Sequence, residues 1–351
     1  MADLPWWDPM RFADRLPRLR ARARMTAGAR RFFGERDFLE VETPALQVSP
    51  GLEPHLRGFA TALSEPFGGT HSLYLHTSPE FAMKKLLAAG AKRIYQLAHA
   101  FRNGERSDLH HPEFTMLEWY RAGEGTDALI EDCIGVVRAA AAAAGEGSLR
   151  RGDTICDPFA EWERLSVADA FARDARIDLL NTIGDAQSRD PDPAAIKAEA
   201  RRIGIAVQEN DRFEDVFFRI LLARIEPQLG RSRPAVLCDY PLCLSTMAKG
   251  SMRDPKLADR FEIYVCGVEL ANGCAELTDA AEQRRRLDHD VALKERLYGV
   301  RVPVDEDFLA ALDRGLPDCA GVALGFDRLV MLATGAEKIA DVLWAPVAGG
   351  D

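Results

Sequence analysis

Two aromatic-rich segments, RIYQLAHAF (93–101) and PEFTMLEWY (112–120), alternate side-chain character along their length. Alternation sends successive side chains to opposite faces of a strand, so each segment buries one face and displays the other. The polar stretch RNGERSDLHH (102–111) lies between them. The pattern predicts a β-hairpin with a long loop that carries Arg102, Arg106, His110 and His111. Long loops on a rigid hairpin are places where binding groups sit.

The flanking segments predict an α+β fold. Residues 15–37 repeat Leu16, Leu19, Met25, Ala29, Phe32 and Phe33 at steps of three and four, which reads as an amphipathic helix. FLEVETPAL (38–46) reads as a short strand stopped at Pro44. Residues 48–72 are rich in Gly, Pro and Ser and read as a loop. In LYLHTSPEF (73–81) a strand runs into a helix capped at Ser78, with Pro79 and Glu80 in the first turn and Gly90 at the far end. Residues 126–230 read as a mainly helical insertion, with Ser166 and Asp169 spaced as a capping box. Strands return at AVLCDYP (235–241) and twice within RFEIYVCGVELANGCAEL (260–277), turning near Gly267. A helix at 284–299 and a strand-to-helix unit, GVALGFDRLVMLATG (321–335), close the pattern. We expect one domain over 1–351: a mostly antiparallel sheet with the site on one face and helices on the other.

Composition narrows the function. Lys and Arg number 45 against 55 Asp and Glu, a net charge of −10. Such a chain is a poor non-specific binder of phosphate backbones, although a local basic site remains open. No apolar run is long enough to span a bilayer and no secretory leader is visible. The seven cysteines form no C-x-x-C pair and no Cys/His zinc spacing, which fits reduced thiols in the cytoplasm.

Four clusters suggest chemistry. Arg102 and Arg328 both sit at strand ends, where a planar guanidinium can hold phosphate oxygens bidentately; the plainer reading is two surface ion pairs. Glu262, Glu269 and Glu276 are spaced by seven, and a turn at Gly267 lets them converge. Glu262 and Glu269 could hold Mg²⁺ bridging triphosphate oxygens, or could be solvated strand positions. Glu80 with Glu276 would need a cation, and a substrate ammonium would serve; Glu80 could equally compensate its helix dipole. Phe114 beside Arg102 could stack on a purine or lie in the core.

Taken in order, FLEVETPAL, TSPEFAMKKLL, FRN…HHPEFTMLEWY, RFEIYVCGVELANGCAELTDAAEQ and GVALGFDRLVML resemble the catalytic core of class II lysyl-tRNA synthetases, from about residue 15 to 345. Those enzymes carry an OB-fold that reads the anticodon ahead of motif 1. Here motif 1 begins almost at the N-terminus, so no such domain is expected. The chain is therefore similar to the truncated synthetase-like ligases that activate lysine, preferentially (R)-β-lysine, with ATP and transfer it to a lysine ε-amine of elongation factor P.

The resemblance implies particular roles. Arg102 would bind the ATP α-phosphate and Arg328 the γ-phosphate. Asn103, His110, His111, Glu269, Leu270 and Gly325 would line the nucleotide, with Phe114 stacked on adenine. Glu262 and Glu269 would hold Mg²⁺. Ser78, Glu80, Tyr120, Asn272, Glu276 and Ala323 would surround the amino acid. A homodimer through motif 1 is also implied, with which Phe32, Phe33 and Phe38 are compatible. The chain departs from the synthetase pattern at four positions. Gly104 replaces the motif 2 Glu, Ala323 a usual Gly, Cys274 a usual Phe and His111 an Asn. The Ala323 methyl would crowd the backbone end of an α-amino acid and favour a β-amino acid. Two other readings remain at this point: a lysyl-tRNA synthetase-like enzyme with tRNA as acceptor, and a non-catalytic synthetase paralogue.

Overall fold

A computed structural model describes residues 5–145, 147–185 and 188–348. In chain order the helices and strands are α1 (Pro9–Gly34), β1 (Leu39–Glu40), β2 (Leu46–Gln47), β3 (Phe59–Ser64), β4 (Thr70–Leu75), α2 (Glu80–Ala88), β5 (Arg93–Phe101), β6 (Glu113–Ala122), α3 (Thr126–Ala144), β7 (Leu149–Arg151), β8 (Thr154–Cys156), β9 (Glu163–Ser166), α4 (Val167–Ala170), α5 (Leu179–Thr182), α6 (Ala194–Arg202), α7 (Phe213–Ile220), β10 (Ala235–Pro241), β11 (Leu257–Val265), β12 (Val268–Ala275), α8 (Ala280–Tyr298), α9 (Glu306–Gly315), β13 (Cys319–Gly325) and α10 (Phe326–Thr334).

The main sheet runs β1-β5-β6-β13-β12-β11-β10-β9. Its inner pairs are antiparallel, and only the edge pairs β1/β5 and β9/β10 are parallel. Alternation divides its two faces. Tyr95, Leu117, Trp119, Ile263, Val322 and Leu324 point into a core shared with α1, α3 and α10. Phe33 anchors that core, stacked on Tyr95 at 4.6 Å with Trp119 at 5.2 Å. Phe32, Phe33 and Phe38 are thus core residues, not an interface: all three are buried within the chain.

The opposite face carries a polar row. Register aligns Glu262, Asn272, Ala323, Glu118 and Gln96 across β11, β12, β13, β6 and β5. A second row aligns Arg260, Cys274, Gly321 and Tyr120. A bulge in the β11/β12 pair leaves Leu270 unpaired, so Tyr264 opposes Glu269 while Ile263 opposes Ala271. The extra residue rotates the strand by one face. That is how Glu269 comes to line the same cavity as Asn272 despite the odd spacing.

Three expectations need correction. Residues 48–72, read as a loop, contain the exposed strand β3 and the start of β4, which pair with each other and, through β4, with β2 in a small separate sheet. β3 is exposed at nearly every position, so it has no apolar alternation to reveal it. Within 126–230 the helical reading misses β7, β8 and β9, and β9 is the far edge of the main sheet. α2 begins at Glu80 with Pro79 in the cap position; Ser78 Oγ accepts from the Glu80 amide at 3.1 Å without being the cap residue.

Candidate active site

Two cavities meet on the polar face. One, of about 250 Å³, is lined by Arg102, Glu105, His110, His111, Phe114, Glu269, Leu270, Gly325 and Arg328. The other, of about 320 Å³, is lined by Ser78, Glu80, Glu118, Tyr120, Arg260, Cys274, Glu276 and Gly321. Glu53, Arg102, Met116, Asn272 and Ala323 belong to both walls and mark the junction.

The first cavity sets two guanidiniums, Arg102 and Arg328, among carboxylates that include Glu105 and Glu269. The hairpin loop returns Arg102 over the Phe114 ring at 5.1 Å, close to the Thr77 carbonyl. Arg328, in the first turn of α10, donates to the Glu269 carbonyl at 2.8 Å, and its Nη2 meets His110 Nε2 at 2.8 Å. His110 therefore accepts as a neutral imidazole; burial and the Arg328 charge hold its proton affinity below the ordinary value. His111 uses Nδ1 on the Glu113 carbonyl and Nε2 on the Val347 amide, so backbone groups already engage both ring nitrogens that would reach a nucleotide. Asn103 is exposed and absent from the cavity wall. Gly104 adopts φ of +85°, a turn conformation, and the acid that lines the wall is Glu105.

Glu262 is held by four donors: Tyr240 and Tyr264 hydroxyls, Arg260 at 2.6 Å and Asn272 at 3.3 Å. A carboxylate has about four acceptor sites, so little of Glu262 remains for a metal. Glu269 differs. It lines the cleft, and burial followed by the Glu262 charge raises its proton affinity, so a cation beside it would be well compensated. Glu269 thus fits a magnesium ligand, with Glu262 behind it as a fixed negative charge. Among the described residues no group of three His, Cys, Asp or Glu side chains could hold a metal by itself. A cation there would need phosphate oxygens to complete its shell.

The second cavity is acidic. Glu80 and Glu276 do converge, but on a residue the sequence reading overlooked. Lys84, one turn along α2 and 2% exposed, lies 2.6 Å from Glu80 and 2.5 Å from Glu276. The cation that this pair was expected to need is thus already supplied in part by the protein itself. Glu118 was also missed. It is 1% exposed and accepts from Ser78 Oγ at 2.7 Å and from the Tyr120 hydroxyl at 2.6 Å. Burial, reinforced by Glu80, pushes its carboxyl up to about 8. The available signal was alternation: Glu118 stands two residues from Tyr120 on a strand whose intervening Trp119 is core. Gly321 is sterically required, because a Cβ there would lie 2.2 Å from the Tyr120 ring and 2.6 Å from Glu276 Oε1.

Asp327, inside the GFDR motif, proves structural. Buried under α10, it pairs with Arg22 of α1 and accepts from the Thr115 amide at 2.7 Å, so it ties the hairpin to the first helix.

Residues 8–348 match the family described as tRNA synthetases class II (D, K and N). This chain belongs to that family. Within it, the chain is 39% identical over 348 residues to the elongation factor P–(R)-β-lysine ligase of Yersinia enterocolitica, covering 99% of each. The proteins of the same name from Pectobacterium atrosepticum and Klebsiella pneumoniae are 39% and 40% identical, over 98% of each chain. Class II membership accords with the mostly antiparallel sheet that carries both cavities on one face. Among the described residues no helix is long and apolar enough to cross a membrane.

Proposed function

We propose that this protein is an ATP-dependent ligase that activates lysine, in its (R)-β form, as an aminoacyl-adenylate and transfers the acyl group to a lysine ε-amine of elongation factor P. The observation that carries this reading is the junction at Glu53, Arg102, Met116, Asn272 and Ala323, where a cleft holding the Arg102 and Arg328 guanidiniums opens into a pocket rich in carboxylates. A nucleotide triphosphate suits the first cavity and a diamino acid the second, with the reacting groups at the shared wall.

The chemistry needs positioning and charge neutralisation rather than a protein nucleophile. The substrate carboxylate attacks the α-phosphorus and pyrophosphate departs. Arg102, at the junction, stabilises charge on the α-phosphate. Arg328, clamped by the Glu269 carbonyl and His110, faces the departing end. Phe114, under the Arg102 guanidinium, offers a surface for the purine. Glu269 would hold magnesium, which would neutralise triphosphate oxygens. Glu80, Glu118 and Glu276 hold the substrate ammonium groups. In the second step the acceptor amine attacks the acyl carbon and AMP leaves. The Ala323 methyl, between Asn272 and Glu118 in the row, narrows the space at the reacting end and supports the β-amino acid. A homodimer belongs to this reading, with exposed Trp7, Met10, Leu39 and Leu46 near the motif 1 segment available for it.

ATP–pyrophosphate exchange in the presence of α-lysine, (R)-β-lysine or ornithine tests the first step. Exchange that depends on (R)-β-lysine is expected, and exchange indifferent to amino acid would overturn the proposal.

A further inference from the structure

Among the buried groups on the polar face, Lys84 has no part in the mechanism above. It is 2% exposed, and its ammonium lies between two carboxylates that both line the amino-acid cavity. Lys84 itself is not among the cavity-lining residues. It stands behind the two carboxylates, off the cavity wall.

We propose that Lys84 is a positioning and specificity residue: an internal counter-ion that holds Glu80 and Glu276 together and sets the charge of the pocket to match a substrate with two ammonium groups. This rests on the lysine reading above. Within the cluster around Lys84, the three carboxylates Glu80, Glu118 and Glu276 against the one cation leave two negative charges once an entering ammonium group draws off the proton that burial keeps on Glu118. A diamino acid supplies two ammonium groups. A mono-amino acid would leave one buried carboxylate without a partner, a costly arrangement. The position of Lys84 also fixes geometry. Glu80 lies one helical turn before it, whereas Glu276 comes from the end of β12, so the ion pair joins two walls of the pocket.

The groups facing this cluster are Glu80 from α2, Glu53 from the loop before β3, Glu118 and Tyr120 from β6, Arg260 from β11, Cys274 and Glu276 from the β12 end, and Cys319 from β13. Burial alone would strip the Lys84 proton, but Glu276 and Glu80 outweigh it and the ammonium is held. Burial in turn raises the Glu276 carboxyl, and Lys84 opposes that rise. Removal of the Lys84 charge therefore makes the remaining carboxylates retain protons to higher pH, where they attract ammonium groups weakly.

The test is lysine-dependent ATP–pyrophosphate exchange between pH 6 and 9 in Lys84→Met, Lys84→Arg and the double variant Lys84→Met/Glu80→Gln. Lys84→Met is expected to raise the lysine KM at least about tenfold at pH 7, with the ATP KM unchanged, and to move the fall in lysine KM upward by about one pH unit. Lys84→Arg keeps the charge and is expected to retain the wild-type pH profile. The double variant restores the count of two negative charges and is expected to recover lysine KM relative to the single Met variant. A folded Lys84→Met enzyme with wild-type lysine KM and pH profile would overturn the proposal. So would a double variant no better than the single one. If the Met variants do not fold, a folded Lys84→Arg enzyme with an altered pH profile overturns it, and a retained profile supports it. Absence of lysine-dependent exchange in the wild-type enzyme would instead defeat the lysine reading.

Discussion

Replacing Glu118 with Gln should make this protein more stable and less able to activate lysine. Carboxyl groups in solution lose their proton near 4.5, whereas burial, with Glu80 adding to it, lifts Glu118 to about 8. Between those values the folded protein keeps a proton that the unfolded chain has released. Stability must then fall as pH rises through this window. At pH 7 the difference from solution behaviour is two and a half pH steps, which at about 1.4 kcal/mol each costs about 3 kcal/mol. Gln carries no titrating proton and escapes this cost. Its carbonyl oxygen keeps one of the two hydroxyls, and its NH2 faces the other, which must turn from donor to acceptor at a cost of about 1 kcal/mol. The net gain is about 2 kcal/mol at pH 7, or roughly 3–5 °C in Tm, and it should grow toward pH 8 and shrink toward pH 5. Loss of a buried partner for a substrate ammonium is worth about 2–4 kcal/mol, so the lysine KM should rise about 30-fold or more. Thermal unfolding across pH 5–9 and exchange kinetics on the same preparations measure both. A variant less stable than wild type at pH 8 would refute the reasoning, because the carboxylate would then be charge-compensated where it sits.

Three further outcomes follow from the geometry. Arg102→Ala should lower lysine-dependent exchange by about 10²–10³ with little change in Tm, since Arg102 faces the cavity and its side chain makes a long contact to Thr77 and a ring contact with Phe114; exchange within tenfold of wild type would remove it from the reaction. Gly321→Ala should destabilise by about 1–3 kcal/mol and abolish lysine binding, because neither the buried Tyr120 ring nor Glu276 has room to move; calorimetry and a lysine titration check this. Asp327→Ala should cost about 3–5 kcal/mol by stranding Arg22, and chemical denaturation should show it.

Periodicity and turn chemistry revealed most elements of the main sheet. β5, β6 and β10 lie close to their expected spans, and β11, β12 and the β13–α10 unit follow the alternation that suggested them. β3 and the first half of β4 escaped because exposed strands carry no apolar period, and the edge strand β9 because four residues do not make one. The site was legible wherever a residue type is rare for its place: an Arg at a strand end, an acid on a strand face. Lys84 was not legible, since a lysine on a helix is ordinarily a solvated residue; only tertiary packing puts it 2% exposed against two acids. The multiple donors to Glu262 were hidden for the same reason. Tyr240 reaches it from β10, 22 residues away in sequence.

The central claim, that the acyl group passes to a protein amine, is tested most directly by intact mass of elongation factor P after incubation with this enzyme, ATP and (R)-β-lysine. A gain of one β-lysyl group, lost when ATP is omitted, is the expected result. Unchanged elongation factor P, alongside efficient charging of tRNA by the same preparation, would contradict the account.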